Sequence, residues 1–160
     1  MTPEQIEKSS NLRDQAGFDQ VEFVQSHIER LSVEDAGFDA VISNGVINLC
    51  PEKGAVFAEA ARVLRPGGRL AMADIVSDQQ LKDSIIRDVD LWASCIGGAA
   101  QRDAYRQMIE ATGFRIEEIR ENPYRFISER ARNACDKYGV RSVSLLATKD
   151  GSASGGRVPS

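Results

Sequence analysis

The stretch FDAVISNGVINLCPEKGAVFAEAARVLRPGGRLAMADIV, running from Phe38 to Val76, decides the fold. Phe38-Asp39-Ala40-Val41-Ile42 is a short apolar run and predicts a strand buried on both faces rather than an alternating, half-exposed one. Ser43-Asn44-Gly45 interrupts it, and Gly45 allows a backbone or a ligand to approach closely. From Glu52 to Leu64 the apolar residues recur at helical spacing, with Val56, Ala60, Val63 and Leu64 on one face. Arg65-Pro66-Gly67-Gly68 then stops the helix, since Pro66 cannot continue it and glycines accept positive φ. Leu70 to Val76 is the second buried strand. Two buried strands joined by one amphipathic helix predict a right-handed parallel crossover, and hence an α/β protein.

Composition narrows the function classes. At 160 residues and 42% hydrophobic, the chain suits one compact domain, read as residues 1–149, followed by a glycine-rich polar tail at 150–160 that is expected to be disordered. A formal charge of −4 gives no reason to expect nucleic acid, whose binders carry a basic face. No apolar run approaches the roughly 20 residues of a membrane span, and the first residues do not read as a signal peptide, so a cytoplasmic location is expected. Cys50, Cys95 and Cys135 are odd in number, widely spaced and without a CxxC pair, which favours reduced thiols over a disulfide framework.

The remaining elements follow from local signals. Thr2-Pro3-Glu4-Gln5 predicts a capped helix running to Ala16, with Gly17 as its stop. Val21 to Val24 reads as a strand, and Ser26 to Leu31 as a loop or one helical turn. Leu81, Ile85, Val89, Trp92 and Ile96 line one face of a helix predicted over 79–96, interrupted by Gly97-Gly98. A helix follows over 101–112, with Tyr105, Met108 and Ile109 inward. Phe114 to Glu121 reads as a strand whose register shifts near Glu117-Glu118. Ser128 caps a charged helix ending at Tyr138, and Val140 to Thr148 is the last strand.

Three phrases, "FDAVISNGVINL", "FAEAARVLRPGGRLAMADIV" and "DLWASCIGGA", resemble the class I S-adenosylmethionine-dependent methyltransferases, and most closely their arsenite methyltransferase branch. "RVLRPGGRL" is widely shared in that superfamily, whereas "SNGVINL…PEK" followed by "LWASCIGGA" is narrower. The resemblance implies an incomplete Rossmann-like fold, a mostly parallel sheet with flanking helices. Counterparts of the family's third to seventh strands fall at 21–25, 39–43, 70–74, 114–121 and 140–148. The family's fold opens with a strand, a glycine-rich turn and a second strand ending in a ribose-binding acid, none of which has a counterpart here. The resemblance therefore implies a methyltransferase shortened at its N-terminal side, with S-adenosylmethionine as the family cofactor and a small molecule as acceptor.

Candidate site residues follow from the same resemblance, each beside a plainer reading. Ser26, His27, Ile28 and Glu29 match the segment that frames the adenine; alternatively they form a surface turn. Ser43, Asn44, Gly45 and Val46 lie at the C-terminal end of the first core strand, where open α/β sheets place ligands. Asn48 would fix that loop through its side chain. Cys95 matches a cysteine that holds trivalent arsenic in the arsenite branch, and soft thiolates suit such an acceptor. A second family cysteine stands where this chain has Gly45 and a third lies upstream of the matched part; Cys50 is a nearby candidate to stand in, which the spacing does not demand. A buried lone cysteine is otherwise core filler. Asp74 reaches the cleft or caps the next segment, and Cys135 has no assigned role.

Two functions remain open on this reading. One is methyl transfer to a small, arsenite-type acceptor, impaired in this chain alone. The other is a non-catalytic remnant serving as a binding or assembly module; within the enzyme class, Gly45 in place of the family cysteine also leaves open a small acceptor other than arsenic. With the first and second family strands missing, the strand at Asp39–Ser43 has an unpaired apolar edge. Either the 21–25 strand moves across to it or a homodimer forms through it.

Overall fold

The computed structural model describes residues 2–93, 95–124 and 126–151. Helix α1 (Pro3–Ala16) begins with the expected capping box: Gln5 N–H donates to Thr2 Oγ1 at 3.3 Å and Thr2 N–H to Gln5 Oε1 at 2.8 Å. Gly17 ends it with φ 71°. No residue of α1 is buried. The strand expected over 21–25 does not form. Only an isolated bridge between His27 and Arg30 occurs in this region, and Val21 and Val24 stay exposed. A short β-prone run has no stability without a ladder partner, and side chains anchor the region instead. Arg62 donates to the carbonyls of Leu31 and Val33 and pairs with Asp35 and Glu59, while Glu59 accepts the Leu31 N–H at 2.5 Å.

The crossover that decides the class is present. Strand β1 (Phe38–Asn44) pairs in parallel with β2 (Leu64–Ser77), and helix α2 (Lys53–Val63) connects them. Val56, Phe57, Ala60, Ala61 and Val63 of α2 are buried against the sheet's core. Two details depart from expectation. β1 is not buried on both faces: Ile42 is 81% exposed and Phe38 44%. The reason is position, since β2 is the sole strand β1 pairs with among the described residues. The Arg65-Pro66-Gly67-Gly68 turn is absorbed into β2 as a bulge. Phe38 sits opposite Leu64 but Ala40 opposite Arg69, and Gly67 takes φ 77° to make the excursion.

The continuous helix expected over 79–96 is instead two short ones, α3 (Asp83–Ile86) and α4 (Val89–Ala93). Asp88 separates them: its carboxylate accepts the N–H groups of Asp90 and Leu91, both at 3.1 Å, which starts a new helix rather than extending the old one. Val89 consequently turns out to solvent while Leu81, Leu91 and Ile96 are buried. The two-residue strand β3 (Ala100–Gln101) pairs in parallel with β2 and leads into α5 (Arg102–Glu110), which buries Tyr105 and Ile109. Strand β4 (Phe114–Glu121) carries the expected register shift, between Ile116 and Glu118. Helix α6 (Glu129–Tyr138) is capped by Ser128 and ended by Gly139 as expected. Strand β5 (Arg141–Lys149) then inserts antiparallel between β2 and β4.

The sheet order is β1-β2-β5-β4, with β3 beside β2. The α/β class is borne out, and the mostly parallel character holds for β1, β2 and β3. One core lies between the sheet, α2 and α5, centred on Phe57, Leu64, Leu70 and Ile109. A second, around Leu81, Leu91, Ile96 and Tyr138, packs α4 and α6 on the sheet. Among the described residues no helix is long and apolar enough to cross a membrane. Most of the tail expected to be disordered, residues 152–160, lies outside the described residues.

Candidate functional site

The C-terminal ends of β1 and β2 gather thiol, amide and carboxyl side chains. Gly45 N–H donates to Ala73 O at 2.9 Å, and at φ 67° Gly45 turns the chain off the sheet into a 3-10 turn at Ile47–Leu49. Asn48 sits at the centre of that turn, fully buried. Its amide donates to Ile75 O at 2.9 Å and to Cys95 O at 3.2 Å, tying the 46–50 loop to the 95–98 loop. Its Oδ1 has no partner. Gly98 packs directly on the Asn48 carbonyl, where a Cβ would overlap it. Asn48 therefore fixes the loop, as its position in the sequence suggested.

Two thiols flank the loop. Cys95 Sγ lies 3.9 Å from the carbonyl oxygen of Gly45, and Cys50 Sγ lies 3.7 Å from that of Val46, so the sulfurs address consecutive peptide groups. Cys95 itself has φ 62°, a left-handed conformation that costs a non-glycine residue about 1 kcal/mol or more. Lys53 reaches across from the first turn of α2, its Nζ donating to Asn48 O at 3.1 Å and to Cys50 O at 3.0 Å.

Asp74 lies beneath the loop, 3% exposed. Its carboxylate accepts Ile75 N–H at 3.0 Å and the Tyr105 phenol at 3.0 Å. Burial pushes the Asp74 carboxyl above its ordinary range, against the opposing pull of those hydrogen bonds, the Asn48 N–H and the Lys53 charge. Burial first, then the Asp74 charge, raises the Tyr105 phenol. Burial lowers Lys53. Both thiols are pushed up, chiefly by burial, with Glu29 adding to the effect at Cys50 and Asp74 at Cys95. Such thiols stay protonated near neutrality and become ligands when a thiophilic group displaces the proton. Nothing here is arranged as a nucleophile with its base.

Beside β1 an apolar cavity of about 280 Å³ is lined by Ile28, Val41, Ile42, Ser43, Asn44 and Val46, among others. Of the residues expected to hold the cofactor, it brings together Ile28, Ser43 and Asn44. His27, Glu29 and Gly45 do not line it. His27 is engaged in the bridge to Arg30, and Gly45 turns toward Cys95. No carboxylate lines this cavity. Cys135 lies on α6 against the second core. Among the described residues no group of three histidine, cysteine or acidic side chains is placed to hold a metal ion.

Sequence reading missed Lys53 and underrated Tyr105. Tyr105 was legible as an inward residue of its helix, yet its phenol finds Asp74 from 31 positions away, a pairing that no local pattern encodes. Lys53 follows Cys50 by three residues, and nothing in that spacing marks it.

A family described as "Methyltransferase domain" matches residues 1–113. The arsenite methyltransferase of Halobacterium salinarum is 39% identical over 131 residues, covering 81% of this chain and 34% of that protein. The arsenite methyltransferase of Aquipseudomonas alcaligenes is 39% identical over 101 residues, 61% of this chain and 29% of that protein. Among solved structures, an arsenic (III) S-adenosylmethionine methyltransferase from Chlamydomonas reinhardtii aligns with TM-score 0.73 and 31% identity, covering 97% of this chain and 54% of that one. The chain thus spans about a third of the length of the curated relatives it matches.

Proposed function

The chain belongs to the methyltransferase-domain family, and from that premise we propose that it carries the acceptor side of an S-adenosylmethionine-dependent methyl-transfer site for a small, soft acceptor of the trivalent-arsenic type. One observation carries the reading: the Cys95 thiol sits 3.9 Å from Gly45 O, at the ligand end of the sheet, within reach of the field of Asp74. A thiol there grips a soft acceptor, and Cys50 on the next carbonyl is the second candidate ligand. Asn48, Lys53 and the Asp74–Tyr105 pair hold the loop in place, so the protein's part is positioning and exclusion of water rather than acid–base chemistry.

The cavity beside Ile28 and Asn44 fits the flat apolar face of a purine, and S-adenosylmethionine would supply the methyl group there. Its lining offers no carboxylate for the ribose hydroxyls. Activity of these 160 residues alone is accordingly expected to be impaired. A second reading draws on that same deficiency: a non-catalytic module retaining the fold without a working cofactor pocket. Both readings are compatible with a cytoplasmic protein and with no nucleic-acid partner.

Calorimetry with S-adenosylmethionine, with and without phenylarsine oxide as a thiophilic probe, tests the pair. Probe binding lost in Cys95→Ser, with cofactor binding weak, supports the acceptor-side reading. Neither ligand binding at millimolar concentration supports the module, and turnover of arsenite by the chain alone overturns the impairment.

A further inference from the structure

We propose that a second cavity, between the start of α2 and the helices α4 and α5, binds a small planar aromatic carboxylic acid. It measures about 670 Å³, more than twice the volume of the cavity beside β1. That lies within the range of roughly 300–1,000 Å³ that small-molecule pockets occupy. The two cavities share no lining residue, and neither Cys50 nor Cys95 lines this one. Its walls come wholly from residues 51–108, in the interior of the chain. Occupancy of this cavity therefore depends neither on the cofactor nor on the thiols.

The lining selects the ligand. Ile86, Ala104 and Met108 make it largely apolar, and Trp92 adds an indole. A flat, polarisable ring packs well against an indole and a thioether. Gly97-Gly98-Ala99-Ala100 keeps the space open by carrying no larger side chain. The two glycines also fix its shape: a Cβ at Gly97 would come within 3.1 Å of the Trp92 backbone, and one at Gly98 would overlap the Asn48 carbonyl. Among the described residues the lining carries one cation, Lys53. Its Nζ donates to Asn48 O at 3.1 Å and to Cys50 O at 3.0 Å, which leaves one of its three N–H donors for a ligand. Burial holds that ammonium below the ordinary lysine range, and a carboxylate beside it offsets the burial. Glu52, which also lines the cavity, is exposed, so water screens its charge. An aromatic ring for the walls and one anionic group for Lys53 together describe an aromatic carboxylate.

Trp92 is the one tryptophan of the chain, so its emission reports on this cavity directly. Benzoate titrated into the full chain, with neither S-adenosylmethionine nor a thiophilic reagent present, is expected to shift that emission saturably at submillimolar concentration. Benzamide has the same shape without the charge and should bind at least tenfold more weakly. Ala104→Phe fills the space from α5 and should abolish the response while leaving the circular dichroism unchanged, since Ala104 is only partly buried. Lys53→Met should lower the affinity for benzoate to that for benzamide. The absence of any saturable change up to the solubility limit overturns the proposal. So does equal affinity for benzoate and benzamide, or a response that survives Ala104→Phe. If either variant fails to fold, the comparison of benzoate with benzamide decides alone.

Discussion

Cys95 Sγ lies 3.9 Å from the carbonyl oxygen of Gly45, and the Cβ position of Gly45 is open, with no atom within 4 Å. There is room beside the thiol for one more ligand. Gly45→Cys is therefore expected to tighten binding of phenylarsine oxide at least tenfold, because two thiolates chelate a soft centre where one only tethers it. The positive φ at position 45 will cost about 1 kcal/mol of stability. Fluorescence or calorimetric titration of the two proteins checks the affinity, and equal affinities would place the Gly45 side chain outside the acceptor site.

Stability and ligand binding should separate at Cys95. Replacing it by glycine relieves a left-handed non-glycine residue and is expected to stabilise the fold by up to about 1 kcal/mol while abolishing thiophilic binding. Cys95→Ser keeps the strain and should leave the urea midpoint nearly unchanged. A loss of several kcal/mol in either variant would mean that the sulfur is tightly packed in the core.

Gly98→Ala is expected to destabilise by about 1–3 kcal/mol, since its methyl would overlap the Asn48 carbonyl and force the two site loops apart. The same variant should weaken binding at Cys95, whose carbonyl is held by Asn48. Urea denaturation alongside a probe titration reads both effects, and an unperturbed pair of values would show that the loops move freely.

Two carboxylates give opposite pH dependences. Glu59 is held down to about 2 by hydrogen bonds from Arg62, so its contribution is present above pH 4.5 and is lost as the pH falls toward 2. Asp74 is raised by burial, so the stability tied to its protonated form is full below pH 3.8 and is lost as the pH rises through its folded value. Glu59→Gln should flatten the acid limb of the stability curve between pH 4.5 and 2. Asp74→Asn should raise stability at neutral pH relative to acid. Thermal melts across pH 2–8 check both, and an unchanged acid limb in Glu59→Gln would assign the acid transition elsewhere.

Tyr105→Phe removes a donor from a buried carboxylate and is expected to cost about 1–3 kcal/mol at neutral pH. The cost should shrink at acid pH, where Asp74 is protonated. Equal destabilisation at both extremes would show that the charge on Asp74 plays no part in the contribution of the Tyr105 hydroxyl.

What the sequence disclosed, and what it did not, follows the range of the interactions involved. The capping box at Thr2, the stop at Gly139 and the register shift near Glu117 are settled within a few residues, and each was legible. The parallel crossover was legible because its strands, helix and turn each carry their own signal. Val21 to Val24 has strand composition but no partner in the fold, so propensity alone misled. Residues 79–96 hold an unbroken helical period, yet the Asp88 carboxylate starts a second helix, a competition that periodicity does not register. In the site, Asn48 was legible from its place in a loop after a strand, and Cys95 was found through resemblance. Lys53 and the Asp74–Tyr105 contact depend on where distant elements come to rest.

The strand order has a consequence for how this protein must be made. β5 is the last strand among the described residues, yet it stands between β2 and β4 and is the ladder partner that holds β4. While a ribosome is still adding residues 141–149, a nascent chain can close β1 on β2 and dock α2. The far side of β2 and the whole of β4 must wait. Domains fold as units once their parts have emerged, so this one is committed late, and a polypeptide released before Lys149 would carry two open sheet edges into the crowded cell.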